Sequence, residues 1–177
     1  MRRTFLSVLV VAVVLVAAAA RAGDLIVVQK TPSFAEPKDG EAVIYFVRPA
    51  FAGKAVKMWA FVDDAPAGAN KSKHYTYVVV PAGKHLVWAK AENISALELD
   101  AESGKTYYVK QALRMGALKA RVKLELLTPE EGQKALQECK YTTLTPEGRT
   151  RGEEIARADY EKARQKAHAG DEEDEGR

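Results

Sequence analysis

The sequence contains few of the residues that build metal sites and disulfide scaffolds. Cys139 is its single cysteine, and only three histidines occur in 177 residues. One cysteine excludes a disulfide scaffold and a cysteine-rich metal site, so we expect Cys139 to be a half-buried apolar residue. His74 and His85 would lie about 20 Å apart across a predicted hairpin, and His168 belongs to a distant segment. We therefore expect no metal and no other cofactor.

Motifs of catalysis are also missing. The chain has no G-x-S-x-G, H-E-x-x-H or phosphate-binding loop motif. Its one acidic doublet in the strand-rich region, Asp63-Asp64, precedes Pro66 and Gly68, which is typical of a turn that aspartate stabilises. Acid–base catalysis needs two positioned carboxylates or a carboxylate–histidine pair. The sequence therefore predicts a protein without enzymatic activity; a hydrolase, the alternative, would need a pocket with converging ionisable groups.

The net positive charge of the whole chain comes from its first 22 residues. The whole sequence has 27 basic and 24 acidic residues, but residues 1–22 contain three arginines and no acid, so the rest is neutral. This balance argues against a nucleic-acid partner, because proteins that bind nucleic acids usually carry a large excess of basic residues. Residues 41–127 nevertheless hold 13 basic and 8 acidic side chains, so this region is locally basic.

The N-terminus has the organisation of a bacterial secretory signal peptide. Arg2 and Arg3 precede an apolar run of about 16 residues, and Ala20-Arg21-Ala22 fits the cleavage pattern. We expect cleavage after residue 22 and a periplasmic or extracellular protein with no membrane span. The alternative is an uncleaved membrane anchor, for which the run is short.

Short apolar runs separated by turn residues extend from Glu41 to Thr128. The run 42–47 is apolar on both faces and predicts a central strand covered on both sides. Residues 81–84 predict a hairpin, and the charged odd-numbered positions of 120–126 should face water. These features predict a mainly β fold, an antiparallel β-sandwich of about seven strands followed by C-terminal α-helices. The predicted strands are 42–47, 56–62, 75–80, 85–89, 97–100, 106–109 and 120–126.

The segments on either side of the sandwich, 41–128, differ from it in composition. We expect residues 23–40 to form an extended lead-in and 129–145 a short helix and linker, because Thr128, Pro129 and Glu131 form a helix start signal. A second helix, 146–170, is mostly polar and should be solvated, with loose packing or none. The tail, 171–177, is acidic and should be disordered.

The strand region resembles a known family, the domain of unknown function 2846, which occurs in bacterial secreted proteins and lipoproteins. The resemblance implies a small β-sandwich similar to PEGA-type domains and brings no assigned activity. Two departures are the absence of a lipobox cysteine and the added segment after Thr145. The resemblance covers roughly residues 41–132, and the stretches that carry it are 42–49, 60–64 with Gly68, Tyr75 with 80–85, and 97–109.

Candidate contact residues come from the strand region. Arg48 ends an apolar strand, so it should reach water at the rim or pair with an acid; the alternative is a clamp for a ligand carboxylate or phosphate. Most strand aromatics should belong to the core, and the remainder could face a ligand. The candidates for ligand or partner contact are Arg48, Trp59, Tyr75, Trp88, Tyr107 and Tyr108.

We expect a secreted, non-enzymatic interaction or scaffolding module of the bacterial cell envelope. It would recognise an envelope protein through exposed aromatic and basic residues on the sheet, aided by an edge strand. The alternative is a module that binds peptidoglycan or a surface polysaccharide. That alternative predicts two coplanar aromatic rings exposed on one sheet. The pattern leaves the oligomeric state open.

Overall fold

The computed structural model describes residues 24–115 and 120–175, which form two β-sheets and two helices. The predicted signal peptide, 1–22, lies outside the described residues. A mainly β sandwich with C-terminal helices is confirmed. The elements are β1 (Ile26–Val28), β2 (Glu41–Arg48), β3 (Met58–Val62), β4 (Ala65–Asn70), β5 (His74–Pro81), β6 (Gly83–Lys90), β7 (Ile94–Ala101), β8 (Thr106–Met115), β9 (Ala120–Leu127), α1 (Pro129–Gln137), β10 (Lys140–Leu144) and α2 (Pro146–Glu175).

The two sheets differ in strand direction. The smaller sheet is antiparallel, with the order β4-β3-β6-β7, and the larger has the order β1-β10-β5-β2-β8-β9. In the larger sheet β2 is parallel to β8 and β10 is parallel to β5, so the prediction of a purely antiparallel sandwich is wrong for this sheet. The chain visits the smaller sheet twice between β2 and β8 and returns beside β2 in the same direction.

The predicted hairpin at residues 81–84 is not present. β5 pairs with β2 in the larger sheet, whereas β6 pairs with β3 and β7 in the smaller one. The chain therefore crosses between the sheets here, and Gly83 takes a φ of +140°, which side chains larger than hydrogen disfavour. His74 and His85 consequently lie in different sheets. The described residues hold no group of three His, Cys, Asp or Glu that could bind a metal ion.

Three short strands were not predicted. β4 occupies residues predicted as turn, because only Asp63 and Asp64 form the turn and Ala65 already pairs with Val62. β4 is an edge strand, where Pro66 is tolerated because its missing N–H would face away from the sheet. β1 and β10 are three and five residues long and carry no clear alternation.

β2 lies at the centre of the fold, as its sequence predicts. Ala42, Ile44 and Phe46 face the smaller sheet within the main core. Val43 and Tyr45 point to the opposite side, where α1 covers the larger sheet. Both faces of β2 are therefore shielded from water, which explains why seven consecutive residues, 42–48, are buried.

Tyrosine hydroxyls hold the lead-in against the outer face of the larger sheet. The Tyr45 hydroxyl accepts a hydrogen bond from the Ala35 N–H at 2.8 Å and donates to the Ala35 carbonyl at 3.2 Å. The Tyr75 hydroxyl bonds to both backbone groups of Ser33 in the same way, at 3.2 and 2.9 Å. These bonds tie Ser33 and Ala35 of the lead-in to the sheet, and side chains satisfy the backbone groups of both residues.

The first helix begins as the sequence predicts. Thr128 and Glu131 form a complete capping box, with Pro129 in the first turn. Gly132 rests on the ring of Tyr108, where a β-carbon would lie 2.0 Å from the ring carbon Cγ. The small side chain therefore allows α1 to lie close to the larger sheet.

The second helix is docked on the smaller sheet, so the expectation of a solvated, loosely packed helix is wrong. Small side chains on α2 allow the helix to approach the sheet closely, and Ile155 packs beside Trp59 and Trp88. Sequence patterns missed this face because alanine and glycine carry little hydrophobic signal. α2 continues to Glu175, so residues 171–175 are helical where a disordered tail is predicted. None of the described helices is long and apolar enough to cross a membrane. The small buried residues of α2 are Gly148, Gly152, Ala156, Ala163 and Ala167.

Candidate functional site

The structure places nearly all predicted contact residues in the interior. The expectation that most strand aromatics belong to the core is therefore confirmed, and the role of these six residues in contacting a ligand or partner stays a prediction. The exposed fractions are 0% for Arg48, Tyr75 and Trp88, 7% for Tyr108 and 8% for Trp59, whereas Tyr107 is half-buried.

Arg48 neither reaches water nor pairs with an acid, contrary to expectation. Its guanidinium donates hydrogen bonds to the carbonyls of Val56, Gly53 and Ala52 at 2.5, 2.9 and 3.2 Å. A further contact of 3.4 Å reaches the Asn70 carbonyl. Burial lowers the pKa of the guanidinium. Arg48 therefore positions the loop 49–57, because the planar fork of arginine can bind several carbonyls at once.

The aromatic residues are occupied by contacts within the fold. Phe61 and Trp88 stack with ring centroids 3.9 Å apart beneath α2. The Tyr107 hydroxyl accepts from the Glu102 N–H at 3.0 Å and donates to the Asp100 carbonyl at 3.2 Å, which fixes a turn. In the described residues the exposed aromatic side chains are Phe34 and Phe51, and both lie outside the strands. The pair of exposed coplanar rings that glycan binding requires is therefore missing from the described sheets.

A carboxylate–histidine pair that sequence patterns missed joins the smaller sheet to the crossing between the sheets. The Asp63 carboxylate lies 2.7 Å from the Nδ1 of His85, and the Pro81 carbonyl lies 2.8 Å from its Nε2. An ionised carboxylate and a carbonyl only accept hydrogen bonds, so the protonated ring of His85 can donate to both partners at once. The pair connects the turn at Asp63 and the end of β5 to β6.

The free energy of unfolding should fall as the pH rises above about 6.5, because His85 then loses its proton. Burial lowers its pKa, but the bonds to Asp63 and Pro81 outweigh burial and raise the pKa above its ordinary value. The stabilisation is then fully present below the unfolded pKa of about 6.5 and is lost as pH rises through the folded pKa. Urea unfolding between pH 5.5 and 8.5 should show this fall, and His85→Gln should remove it. An unchanged slope in His85→Gln would refute this role.

A cluster of cations lies on the outer face of β8 and β9. We call Lys110, Arg114, Arg121 and Lys123 the basic face. Arg114 lies directly opposite Arg121 in the strand register, and Lys110 lies opposite Glu125. The inward residues of these strands, such as Val109 and Val122, belong to the main core, which fixes the outward direction of the charged ones. The prediction that the odd-numbered side of 120–126 faces water is confirmed.

One carboxylate faces these four cations. Glu125 accepts hydrogen bonds from Lys110 at 2.9 Å and Arg114 at 2.6 Å, and these bonds lower its pKa against the opposing effect of burial. Arg121 and Lys123 are exposed and have no acidic partner among the described residues. Like charges in opposite positions of a sheet destabilise it, so this face retains a charge excess that the described residues do not neutralise.

The edge of β9 is closed to strand addition over part of its length. The Asn93 side chain accepts a hydrogen bond from the Val122 N–H at 2.7 Å and donates to the Val122 carbonyl at 2.9 Å. The Ser95 hydroxyl accepts from the Leu124 N–H at 3.0 Å. A further strand therefore cannot pair at Val122 and Leu124 without displacing Asn93 and Ser95. Sequence patterns missed the contribution of β8, because the predicted strand 106–109 ends before Lys110.

A family model matches most of the strand region, and one relative is similar in sequence. Residues 38–123 match a family model described as a protein of unknown function, DUF2846. An uncharacterized protein of Haemophilus influenzae is 33% identical over 104 residues, and the match spans 58% of this chain and 62% of that protein. The region that the family model matches, 38–123, contains the basic face but neither helix. Residues 38–123 of this chain therefore form a DUF2846 family domain.

Proposed function

We propose that this protein is a non-enzymatic interaction module of the bacterial cell envelope whose basic face binds an acidic partner protein. The observation that carries the proposal is the exposed charge excess on β8 and β9. Arg114 faces Arg121 across the strands, and Lys123 has no acidic partner among the described residues. A partner carboxylate would relieve this repulsion, so complementary charge provides both attraction and selectivity.

The shape of the surface supports a protein partner. The basic face is the side of a sheet whose other side is packed in the core, so its side chains are presented on rigid strands. A sheet surface suits the broad contact of two proteins, whereas small-molecule sites are concave. The envelope location rests on the signal-peptide pattern of residues 1–22.

The proposal can be tested by photo-crosslinking in bacteria that express the full chain. A photoreactive residue at position 114, which is 59% exposed as arginine, should give a discrete protein adduct. The double variant Arg121→Gln/Lys123→Gln should lose most of this adduct. The free energy of unfolding of this double variant should stay the same or rise by about 0.2–0.5 kcal/mol, since repulsion among the cations of the basic face is reduced.

The control removes the same number of charges elsewhere. Lys84, near the start of β6, and Lys105, just before β8, are exposed and lie outside the basic face, so Lys84→Gln/Lys105→Gln should retain the adduct. Equal loss in both double variants would contradict the proposal, because it would indicate a response to net charge alone. An adduct that resists protease and is released by a muramidase would favour the glycan alternative, for which Trp59 at a cleft is the remaining support.

A further inference from the structure

A cleft of about 720 Å³ lies where α2 crosses the smaller sheet. Its walls are apolar in part, with Val56 and Trp59 on the sandwich side and Ile155 and Ala158 on α2. The volume is within the usual range for sites that bind small molecules. The cleft exists only because α2 is docked, so it joins the DUF2846 domain to the segment outside it.

The charged residues of this cleft are paired, with one exception. Lys90 contacts Asp159, and Arg151 binds Glu154 at 2.8 Å. Glu92 also lines the cleft and is engaged in an interaction of its own. Lys57 lines the same cleft, and no carboxylate of the described residues lies within salt-bridge distance of its ammonium group.

The surroundings of Lys57 disfavour its charge. Burial lowers its pKa first and the nearby Lys71 lowers it further, while Asp24 acts in the opposite direction without outweighing them. A partly buried ammonium group without a counter-ion is costly, and an anion bound beside it would offset that cost. Trp59 of β3 and Lys57, just before β3, both line the cleft, so the ammonium group and the indole ring face the same space.

We propose that this cleft binds a small organic anion whose carboxylate or phosphate contacts Lys57 and whose apolar body packs against Trp59 and Ile155. The paired charges of Lys90 and Arg151 leave Lys57 as the cation available to the anionic group. The ligand should also have an apolar body, because an inorganic anion would leave the apolar walls of the cleft uncovered. Occupancy would hold α2 against the sandwich, since the ligand contacts both.

The test uses 4-phenylbutyrate and its neutral amide as probes of the full chain. Tryptophan fluorescence reports binding, because Trp59 lines the cleft whereas Trp88 is 0% exposed. The carboxylate should bind about tenfold more tightly than the amide, the factor that a hydrogen bond to a charged group provides. Lys57→Gln should make the two affinities equal. Lys54→Gln, three residues away and exposed, should keep the difference.

A second variant locates the site independently of charge. Ala158→Phe places a large ring in the cleft from an exposed helix position, so it should block both probes without disturbing the core. Equal affinities in the unmodified protein, a carboxylate preference that survives Lys57→Gln, unaltered binding in Ala158→Phe, or no response at millimolar probe would each overturn the proposal. All variants share the same N-terminus, so binding to residues 1–23 cannot produce these differences.

Discussion

Arg48→Met should lower the free energy of unfolding by about 2–4 kcal/mol, because it removes the donors that partly buried loop carbonyls receive from the guanidinium. Methionine retains most of the apolar length of arginine, so the loss reports the hydrogen bonds rather than a cavity. The carbonyls of Val56 and Ala52 lie 2.5 and 3.2 Å from the guanidinium and would lose this donor. The Gly53 carbonyl, 2.9 Å from the guanidinium, would keep a second hydrogen bond from the Val56 N–H at 3.0 Å. Urea denaturation of the two proteins measures the difference.

Hydrogen–deuterium exchange should locate this effect in the loop 49–57. Its amides should exchange faster in Arg48→Met, while those of the basic face should change little. Arg48→Lys should destabilise nearly as much, since an ammonium group cannot span the carbonyls that the fork reaches. Arg149→Met, at an exposed position of α2, is the matched control and should be neutral. If Arg48→Met were as stable as this control, the assigned positioning role would be wrong.

Gly148→Ala should destabilise the protein by about 1–3 kcal/mol, although the same change at an exposed helix position stabilises by about 1 kcal/mol. A β-carbon on Gly148 would lie 2.0 Å from the backbone carbonyl oxygen of Leu25, which cannot rotate away. Either the start of α2 or the adjoining β1 must then move. The sign of the change in unfolding free energy is the decisive measurement.

The consequences of Gly148→Ala should reach the cleft, since Leu25 is one of its lining residues. Affinity for 4-phenylbutyrate should fall even where the protein remains folded. Arg149→Ala alters the neighbouring residue, which is exposed, and should leave both stability and probe binding unchanged. Stabilisation by Gly148→Ala would show that α2 is not held at this distance from β1.

Features that depend on local sequence were predicted well. The apolar run 42–47 indicated a strand covered on both faces, and β2 is that strand. The capping residues Thr128 and Glu131 located the start of α1, because a capping box involves four consecutive residues only. The alternation in 120–126 indicated which side of β9 meets water.

The candidate site was predicted only in part. The local basic excess and the charged side of 120–126 pointed to this region, but not to the pairing of Arg114 with Arg121. Arg48 was among the candidates, but its predicted partners, water or an acid, were wrong. No residue pattern indicates which backbone carbonyls a side chain will bind. The contact between Asp63 and His85 joins residues 22 positions apart and likewise has no local signal.

The amino-acid sequence by itself determined the β-rich class, the central strand, the helix starts and the family of the strand region, since periodicity and capping act over a few residues. Tertiary structure alone decided the parallel neighbours of β2, the docking of α2, the burial of Arg48 and the cleft beside Lys57. These features arise from contacts between distant segments. Their free energy depends on shape and distance in three dimensions, which residue patterns along the chain do not specify.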